Sequence, residues 1–309
     1  MSLVKTGSPA PSRPLLGIAL MLMAVAMGSS LDAMAKWFTQ HYPVPQLVCI
    51  RFGVQAAVLL ALAPWIGRRA VLTTRAPFTH VARGLAMILA SGLFVAALSV
   101  LPLSTSVVLG QTSPLIAAAI AVPMLGERVT PRHWLFVLLG FAGVVVVLRP
   151  APEIFGWSVL LPIASAACYA LYQVMTKRVA AIDPAVPSLF YSSLVGCLLA
   201  ACIAPFVWVW PSPLHAAILL GHGALCCLSH LLIIRALMLS TVSMMAPFGY
   251  SGLISAAILG IIVFDERIDL ATIAGAALIA VSGILIAREA VMRSRQVVPD
   301  PELGTRNRF

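Results

Sequence analysis

Ten apolar runs of helix length follow one another along this 309-residue chain, and they constrain its fold more than any motif does. About 20 mostly apolar residues form a helix that crosses the roughly 30 Å hydrocarbon core of a bilayer, and only helices or closed barrels satisfy their backbone hydrogen bonds there. Charged residues make up only 10% of the sequence, against about a quarter in a soluble domain. We therefore predict an all-α, polytopic membrane protein. The ten predicted transmembrane helices cover residues 14–35, 45–66, 78–98, 104–124, 131–149, 156–177, 187–209, 214–237, 243–263 and 269–287.

An internal repeat divides these runs into two sets of five. Residues 97–149 resemble residues 236–288 at an offset of 139, and nine positions are identical. Both stretches also have the same order of segments: a polar segment, an apolar run, an acidic turn and a second apolar run. Because five is odd, the second set begins on the opposite side of the membrane and runs inverted, which is typical of secondary transporters. The predicted divisions are a tail at 1–13, repeats at 14–149 and 150–288, and a tail at 289–309.

The turn of each copy carries a Glu-Arg pair at a predicted membrane boundary. The two pairs are Glu127-Arg128 and Glu266-Arg267. Acidic groups are stabilised near helix N-termini, so we predict that each acid caps or pairs at a helix start.

The Lys and Arg residues predict the orientation of the chain. Sixteen of them fall in segments or helix ends on the side of the N-terminus and three on the other side, with Arg51 inside a span. Segments rich in Lys and Arg stay in the cytoplasm, so both termini are predicted to be cytoplasmic. The net charge of +10 then reflects orientation, and we expect no nucleic-acid partner.

The six cysteines lie in apolar runs without metal-ligand spacing, and we expect no cofactor.

Two motifs add a resemblance to a known family. The chain reads PLSTS…PLIAAAI…LGERVT at residues 102–130 and APFGYSGLISAAILGIIVFDER at residues 246–267. With the five-plus-five plan, these motifs resemble the drug/metabolite transporter superfamily, in particular its bacterial EamA-type members, over about residues 14–288. The resemblance implies a central cavity, a small-metabolite cargo and a multi-pass location in the bacterial inner (plasma) membrane. Amino acids, aromatic ones included, are among the exported cargoes of that family. Asp265 departs from the family pattern, in which Gly is common before the Glu.

The fourth and ninth runs carry polar residues and prolines within apolar spans. Broken or kinked helices are tolerated at membrane depth where they face a cavity, so both runs are candidate site segments. Packing of the kinks against neighbouring helices is the open alternative. Gln111 and Tyr250 are predicted to line the cavity, because a stripe of small residues predicts that the other face packs. The stripe is Ser113, Ala117 and Ala121 in one run and Gly252, Ala256 and Gly260 in the other.

Aromatic, amide and imidazole side chains mark the sixth and eighth runs. Tyr169, Tyr172 and Gln173 share one face of the sixth run and suit a ligand with an apolar ring and polar ends. Anchoring of tyrosines at the membrane surface is the alternative; we favour the cavity for Tyr169 and the surface for Tyr172. His222 and His230 lie two turns apart in the eighth run and can serve in proton coupling or as hydrogen-bonded packing groups.

Three charged residues lie in the first two runs. Asp32 and Lys36 are four residues apart and can pair near the outer end of their helix, although an intramembrane carboxylate is by default a functional candidate. Arg51 can neutralise Asp32, bind a substrate carboxylate or extend outward to the membrane surface, and we favour the last.

Together, these features predict a secondary transporter that exports amino acids, aromatic ones included, or similar small metabolites by alternating access through a central cavity. The alternative carrier takes up a nucleotide-like metabolite such as S-adenosylmethionine. An integral-membrane enzyme is disfavoured because the chain lacks H-E-x-x-H, a P-loop and paired intramembrane carboxylates, and a channel because the repeats are inverted and rings of charge are absent. The predicted partners are a small-molecule substrate and the lipid bilayer, and the chain is compatible with a monomer. The predicted substrate-binding residues are Gln111, Tyr169, Gln173, His230 and Tyr250, with Asp32 and His222 as candidates for proton coupling.

Overall fold

The computed structural model of the chain describes residues 14–67, 71–125, 131–148, 156–179, 183, 185–239, 248 and 250–296. The α-helices are α1 (Pro14–Thr39), α2 (Val44–Ile66), α3 (Pro77–Val100), α4 (Leu103–Gly110), α5 (Ser113–Leu125), α6 (Pro131–Leu148), α7 (Leu160–Val179), α8 (Ala185–Ala201), α9 (Pro213–Leu239), α10 (Ser251–Phe264) and α11 (Leu270–Gln296). Short 3-10 helices precede α7 at Trp157–Val159 and follow α8 at Ala204–Val207. The described residues contain no β-strand.

The helices are those of a polytopic membrane protein, which confirms the predicted fold class. Five of them are each long and apolar enough to cross a membrane alone: α1, α2, α3, α7 and α9. The shorter apolar helices α6, α8, α10 and α11 accompany them, and α4 and α5 together have the length of one further span. Counted in this way, the described helices form ten spans.

The fourth span is broken where the sequence suggested a kink. It divides into α4 and α5 at Gln111 and Thr112. Pro114 lies just after the break, and a proline cannot donate the hydrogen bond that would continue the helix to the carbonyl of Gly110. Its ring would also clash with that carbonyl, so the helix has to restart.

Two predicted helix ends are wrong. α8 ends at Ala201 rather than near residue 209, because Pro205 interrupts the helical hydrogen bonds. α11 continues to Gln296, beyond the predicted end of the tenth run at residue 287. Residues 288–296 contain neither Gly nor Pro, the two residues that oppose helix propagation most strongly.

The two halves of the chain pack extensively on each other. The main contacts join α1 to α9 and α10, α2 to α8 and α9, α3 to α7 and α8, α5 to α7, and α6 to α11. Exchanging each helix for its counterpart in the other half reproduces this set of contacts, with α1 exchanged for α7, α2 for α8, α3 for α9, the α4-α5 pair for α10 and α6 for α11. The contact pattern therefore has the pseudo-two-fold symmetry expected of duplicated halves. Helices of both halves surround the space between them.

The helix ends define two faces of the bundle. The N-terminal face carries the start of α1 and the end of α2, and the far face carries the end of α1 and the start of α2. Exposed aromatic rings lie at both faces, as in the aromatic belts of membrane proteins. These rings are Trp65 and Phe78 at the N-terminal face, and Trp157, Phe206 and Trp210 at the far face. Exposed aliphatic side chains such as Leu138, Val145 and Ile262 form the surface that lipid covers.

Candidate functional site

A cavity lies between the two halves of the bundle. It has two adjoining compartments of about 290 and 280 Å³, and small-molecule sites commonly measure about 300–1,000 Å³. Five residues line both compartments: Asp32, Arg51, Val107, Gln111 and His230. They come from α1, α2, α4, the break before α5 and α9, so both halves contribute to the cavity wall.

The two compartments differ in their lining. The first extends towards α3 and α7, and its ring-bearing and polar residues include Ser91, Phe94, Ser113, Tyr169 and Gln173. The second lies among α1, α9 and α10, and several of its residues are small: Gly28, Ser29, Cys226, Ser229 and Gly252. The first compartment therefore offers aromatic surface with hydrogen-bonding groups, and the second offers space beside small side chains.

The sixth span contributes its aromatic face to the first compartment. Tyr169 lines the cavity, and its ring stacks on that of Tyr172 with centroids 5.7 Å apart and planes 17° apart. Tyr172 does not anchor at the membrane surface as predicted; its ring lies below the guanidinium of Arg83, 4.9 Å from the centroid. Gln173 Nε2 donates to Ser113 Oγ at 2.8 Å. Ser113 therefore serves the cavity, although the sequence predicted a packing role for it.

Both histidines of α9 are hydrogen-bonded, but only one reaches the cavity. His230 lines both compartments, and its Nδ1 lies 2.8 Å from the carbonyl oxygen of Cys226. Since a carbonyl only accepts, Nδ1 carries the hydrogen and the other ring nitrogen is left for the cavity. His222 Nε2 instead donates to the carbonyl of Leu31 at 3.2 Å, which ties α9 to α1. His222 is absent from both linings, so of the two candidates for proton coupling only Asp32 faces the cavity.

The charged residues of α1 and α2 are arranged differently from the prediction. Lys36 does not pair with Asp32; its Nζ lies 3.3 Å from Glu266 Oε1 and donates to the carbonyl of Leu101 at 2.6 Å. Its long side chain extends towards the far face, where those acceptors lie. Arg51 does not extend to the membrane surface either. Its Nη1 donates to Ser91 Oγ at 3.3 Å, and the side chain lies in the wall of both compartments.

The structure does not bring Tyr250 to the cavity. Its side chain is buried in an apolar cluster with Leu109 and Ile279, and it packs against Gly283 of α11. Its hydroxyl has no hydrogen-bond partner among the described residues. The small size of Gly283 admits the ring, which draws Tyr250 towards α11 and away from the cavity.

A buried polar cluster joins the two halves at the N-terminal face. The carboxylate of Asp183, in the α7–α8 connection, accepts hydrogen bonds from Thr74 Oγ1 at 2.5 Å, the Arg75 amide at 3.0 Å and His80 Nε2 at 2.9 Å. Burial alone would raise the pKa of this carboxyl, but these hydrogen bonds outweigh it and lower the pKa of Asp183 to about 2. The carboxylate is therefore ionised at neutral pH.

Arg83 extends this N-terminal-face cluster towards the cavity. Its Nη1 lies 3.0 Å from His80 Nδ1 and also donates to Ser188 of α8, and its Nε donates to Thr176 Oγ1 at 3.1 Å. A guanidinium can only donate, so His80 Nδ1 accepts and His80 Nε2 carries the hydrogen given to Asp183. Through the ring of Tyr172 the cluster reaches the wall of the first compartment.

A second polar cluster joins the halves at the far face. Glu266 accepts from the amides of Leu103 and Ser104 at 2.5 and 3.1 Å, from Ser104 Oγ at 2.9 Å, and pairs with Lys36. Burial alone would raise the pKa of Glu266, but these hydrogen bonds and the charge of Lys36 hold it below its ordinary value. The acid caps the start of α4, as the sequence predicted for a helix start. Its counterpart Glu127, with Arg128, lies outside the described residues.

The N-terminal-face cluster escaped the sequence analysis. Asp183 lies 103 residues after His80 in the chain, and His80, Arg83 and Asp183 together match no spacing motif. The available signal was weak: Asp183 precedes a proline in a short connection between apolar runs, a context in which an acid commonly binds nearby backbone amides.

These helices and this cavity define an α-helical membrane transporter built from two duplicated halves. The chain belongs to the EamA-like transporter family, whose profile matches residues 15–149 and again residues 156–288. An S-adenosylmethionine uptake transporter of Rickettsia bellii is 27% identical, over 88% of this chain and 93% of that protein. A riboflavin transporter of Vibrio cholerae is 25% identical, over 92% of this chain and 96% of that protein. One crystal structure is similar in fold with a TM-score of 0.63, at 21% identity over 92% of this chain and 99% of that chain.

Proposed function

We propose that this protein is a secondary carrier that moves a small ring-bearing metabolite across the bacterial inner membrane by alternating access, with both termini in the cytoplasm. The observation that carries the proposal is the central cavity, whose wall is built by both halves and whose lining combines rings with polar groups. Rocking of one half against the other would expose such a cavity to each side in turn. The named relatives are transporters, which supports a carrier over an enzyme.

Ring-bearing cargo suits both the cavity and the relatives. Phe94 and Tyr169 offer aromatic surface in the first compartment, beside Gln173 and Ser113. S-adenosylmethionine and riboflavin, the cargoes in the names of the relatives, each combine a planar heteroaromatic ring with a polar extension. We therefore put uptake of a compound like S-adenosylmethionine first and place export of an aromatic amino acid second. The second candidate is favoured by the two opposite charges in the cavity, Asp32 and Arg51.

The carrier proposal is tested by counterflow in sealed liposomes that contain the purified protein. Labelled S-adenosylmethionine, riboflavin and tryptophan are offered separately to vesicles preloaded with the same unlabelled compound. We expect saturable uptake that preloading accelerates for at least one of them. Non-saturable ion conductance would contradict a carrier, and chemical turnover without flux would indicate an enzyme.

The cavity residues are tested in the same vesicles with the compound that exchanges best. Replacing Tyr169 by Ala removes an aromatic contact worth about 0.5–1.5 kcal/mol, so we expect the KM to rise roughly two- to tenfold. Tyr169→Phe keeps the ring and should remain near the wild-type value. Gln111→Ala and His230→Ala should also reduce flux. Tyr250→Phe removes a hydroxyl outside the cavity and is the control. Unchanged flux in all three alanine variants would refute this site.

A further inference from the structure

The cavity wall holds one acidic and one strongly basic side chain. Asp32 of α1 and Arg51 of α2 each line both compartments, so both charges are accessible from the same space. Charged side chains inside a membrane are costly and mark substrate or ion pathways. Among the described residues the two do not form an ion pair with each other; the ion pairs found there lie at the two faces of the bundle.

Arg51 retains unused hydrogen-bonding capacity. Its Nη1 donates to Ser91 Oγ and its side chain also hydrogen-bonds the Cys226 side chain, but its buried Nε has no partner among the described residues. A guanidinium has five N–H donors in a planar fork that matches a carboxylate with two parallel hydrogen bonds. Ser91 therefore acts as a positioning residue: its hydroxyl holds Nη1 of the Arg51 guanidinium, and donors of the guanidinium that are not used in this way are left for a ligand.

Asp32 supplies the complementary group. A carboxylate accepts hydrogen bonds at both oxygens and is matched by an ammonium, which has three donors. A ligand that carries an ammonium and a carboxylate on one carbon can neutralise Asp32 and Arg51 together. A ligand that carries only one of these groups, or neither, would leave a desolvated charge without a partner, which is unfavourable in a water-poor site.

We propose that this cavity selects metabolites that carry a free α-amino-acid group, with Asp32 binding the ammonium, Arg51 binding the carboxylate and the Tyr169 side of the first compartment holding the ring. The proposal rests on the proposed carrier function and narrows its cargo. S-adenosylmethionine and tryptophan both carry this group, and riboflavin does not.

The test is a set of matched ligands that differ by one charge. Counterflow of labelled S-adenosylmethionine and, separately, of labelled tryptophan is inhibited with unlabelled tryptophan, tryptophan methyl ester or N-acetyltryptophan. The ester lacks the carboxylate and the N-acetyl compound lacks the ammonium. We expect each blocked compound to inhibit about tenfold more weakly than tryptophan, or worse, because each leaves one buried charge unpaired.

Two variants, each of which removes one charge, show which residue recognises the ammonium and which recognises the carboxylate. Asp32→Asn should lose the discrimination against N-acetyltryptophan while it still rejects the methyl ester. Arg51→Gln should show the opposite pattern. A folding defect would weaken both discriminations together, so the crossed pattern separates recognition from stability. Asp183→Asn makes the same carboxylate-to-amide change outside the cavity and should keep both discriminations.

The outcomes separate this inference from the carrier proposal. Counterflow that tryptophan and its blocked derivatives inhibit equally, or that only riboflavin supports, would overturn the inference and leave the carrier intact. If no probe exchanges, the carrier proposal fails, and the same ligands are compared by thermal stabilisation of the purified protein in detergent. Stabilisation by tryptophan and S-adenosylmethionine beyond that by the blocked compounds would still support the inference, and its absence would overturn it.

Discussion

Asp265 occupies a backbone conformation that few residues other than glycine adopt. It follows the last residue of α10 with φ 52° and ψ 34°, in the left-handed region. Its amide donates to the carbonyl of Gly260, and the following amide of Glu266 bonds to the same carbonyl at 3.0 Å. This helix end turns the chain so that the Glu266 side chain reaches the start of α4. The geometry explains why Gly is common at this position in the family that the sequence resembles.

Replacing Asp265 by Gly should stabilise the protein. Gly removes the steric cost of the left-handed conformation but adds entropy to the unfolded chain, which leaves a net gain of about 0.5–1 kcal/mol. The melting temperature in detergent should rise by roughly 1–4 °C. Asp265→Ala is the matched control and should lower it, because Ala tolerates this region less well than Asp. If both variants shift the melting temperature equally, the turn does not depend on this conformation.

For single residues, the sequence predicted which polar side chains lie within the spans better than it predicted the directions in which they point. Asp32, Gln111, Tyr169 and His230 were visible because each is a polar or aromatic group within an apolar run, and the structure brings all four to the cavity. The direction in which Arg51 points was not visible, because it depends on which helix supplies its neighbours. For the same reason the sequence could not assign Tyr250 to the core beside α11.

Helix number and order were predictable because the hydrocarbon thickness fixes how many apolar residues a span needs. The sequence also predicted that the fourth span is kinked or broken, because a proline and polar residues lie at the position that separates α4 from α5. The clusters at the two faces were not foreseen as contacts between halves. They join the α2–α3 connection to the α7–α8 connection and the end of α1 to the α10–α11 connection, and these pairings exist only once the helices have packed.

The N-terminal-face cluster should make stability depend on pH through Asp183. Its pKa is lowered from the ordinary 3.8 to about 2 by the hydrogen bonds it accepts, so the ionised carboxylate stabilises the folded protein above about pH 4. This contribution decreases as the pH falls towards 2, where the folded-state carboxylate is protonated. Asp183→Asn weakens hydrogen bonds to a charged acceptor and should cost about 1–3 kcal/mol at pH 7, or roughly 2–8 °C in melting temperature.

Melting curves of both proteins across the acid range test this dependence. The difference between wild type and Asp183→Asn should be constant from pH 7 to about 5 and should shrink between about pH 4 and 2. Tyr250→Phe serves as a neutral comparison and should show no such change. A difference that persists at the acid end would mean that the charge of Asp183 does not stabilise the fold.

Across the part of the molecule that the structure describes, the two halves meet along most of their helices, and a polar cluster that includes an ion pair joins them at each face. The far-face cluster links Lys36 of the first half to Glu266 of the second, and the N-terminal-face cluster links His80 to Asp183. The cavity lies between these two levels. Under the proposed alternating-access mechanism, opening to either side would separate one cluster while the other holds.

A cysteine in the cavity wall should report this alternation directly. Gly28 lines the second compartment, and a Cβ atom built there meets no other heavy atom within 4 Å, so Gly28→Cys is expected to fold in a background without the six native cysteines. A membrane-impermeant thiol reagent should reach this cysteine from either side of oriented vesicles, and saturating S-adenosylmethionine should slow both reactions. Gly221→Cys is the matched control, because Gly221 also has open space around it but is exposed outside the cavity lining. It should stay unlabelled within lipid, where the reactive thiolate does not form. Labelling of Gly28→Cys from one side alone, whether or not substrate is present, would show that the two halves do not alternate.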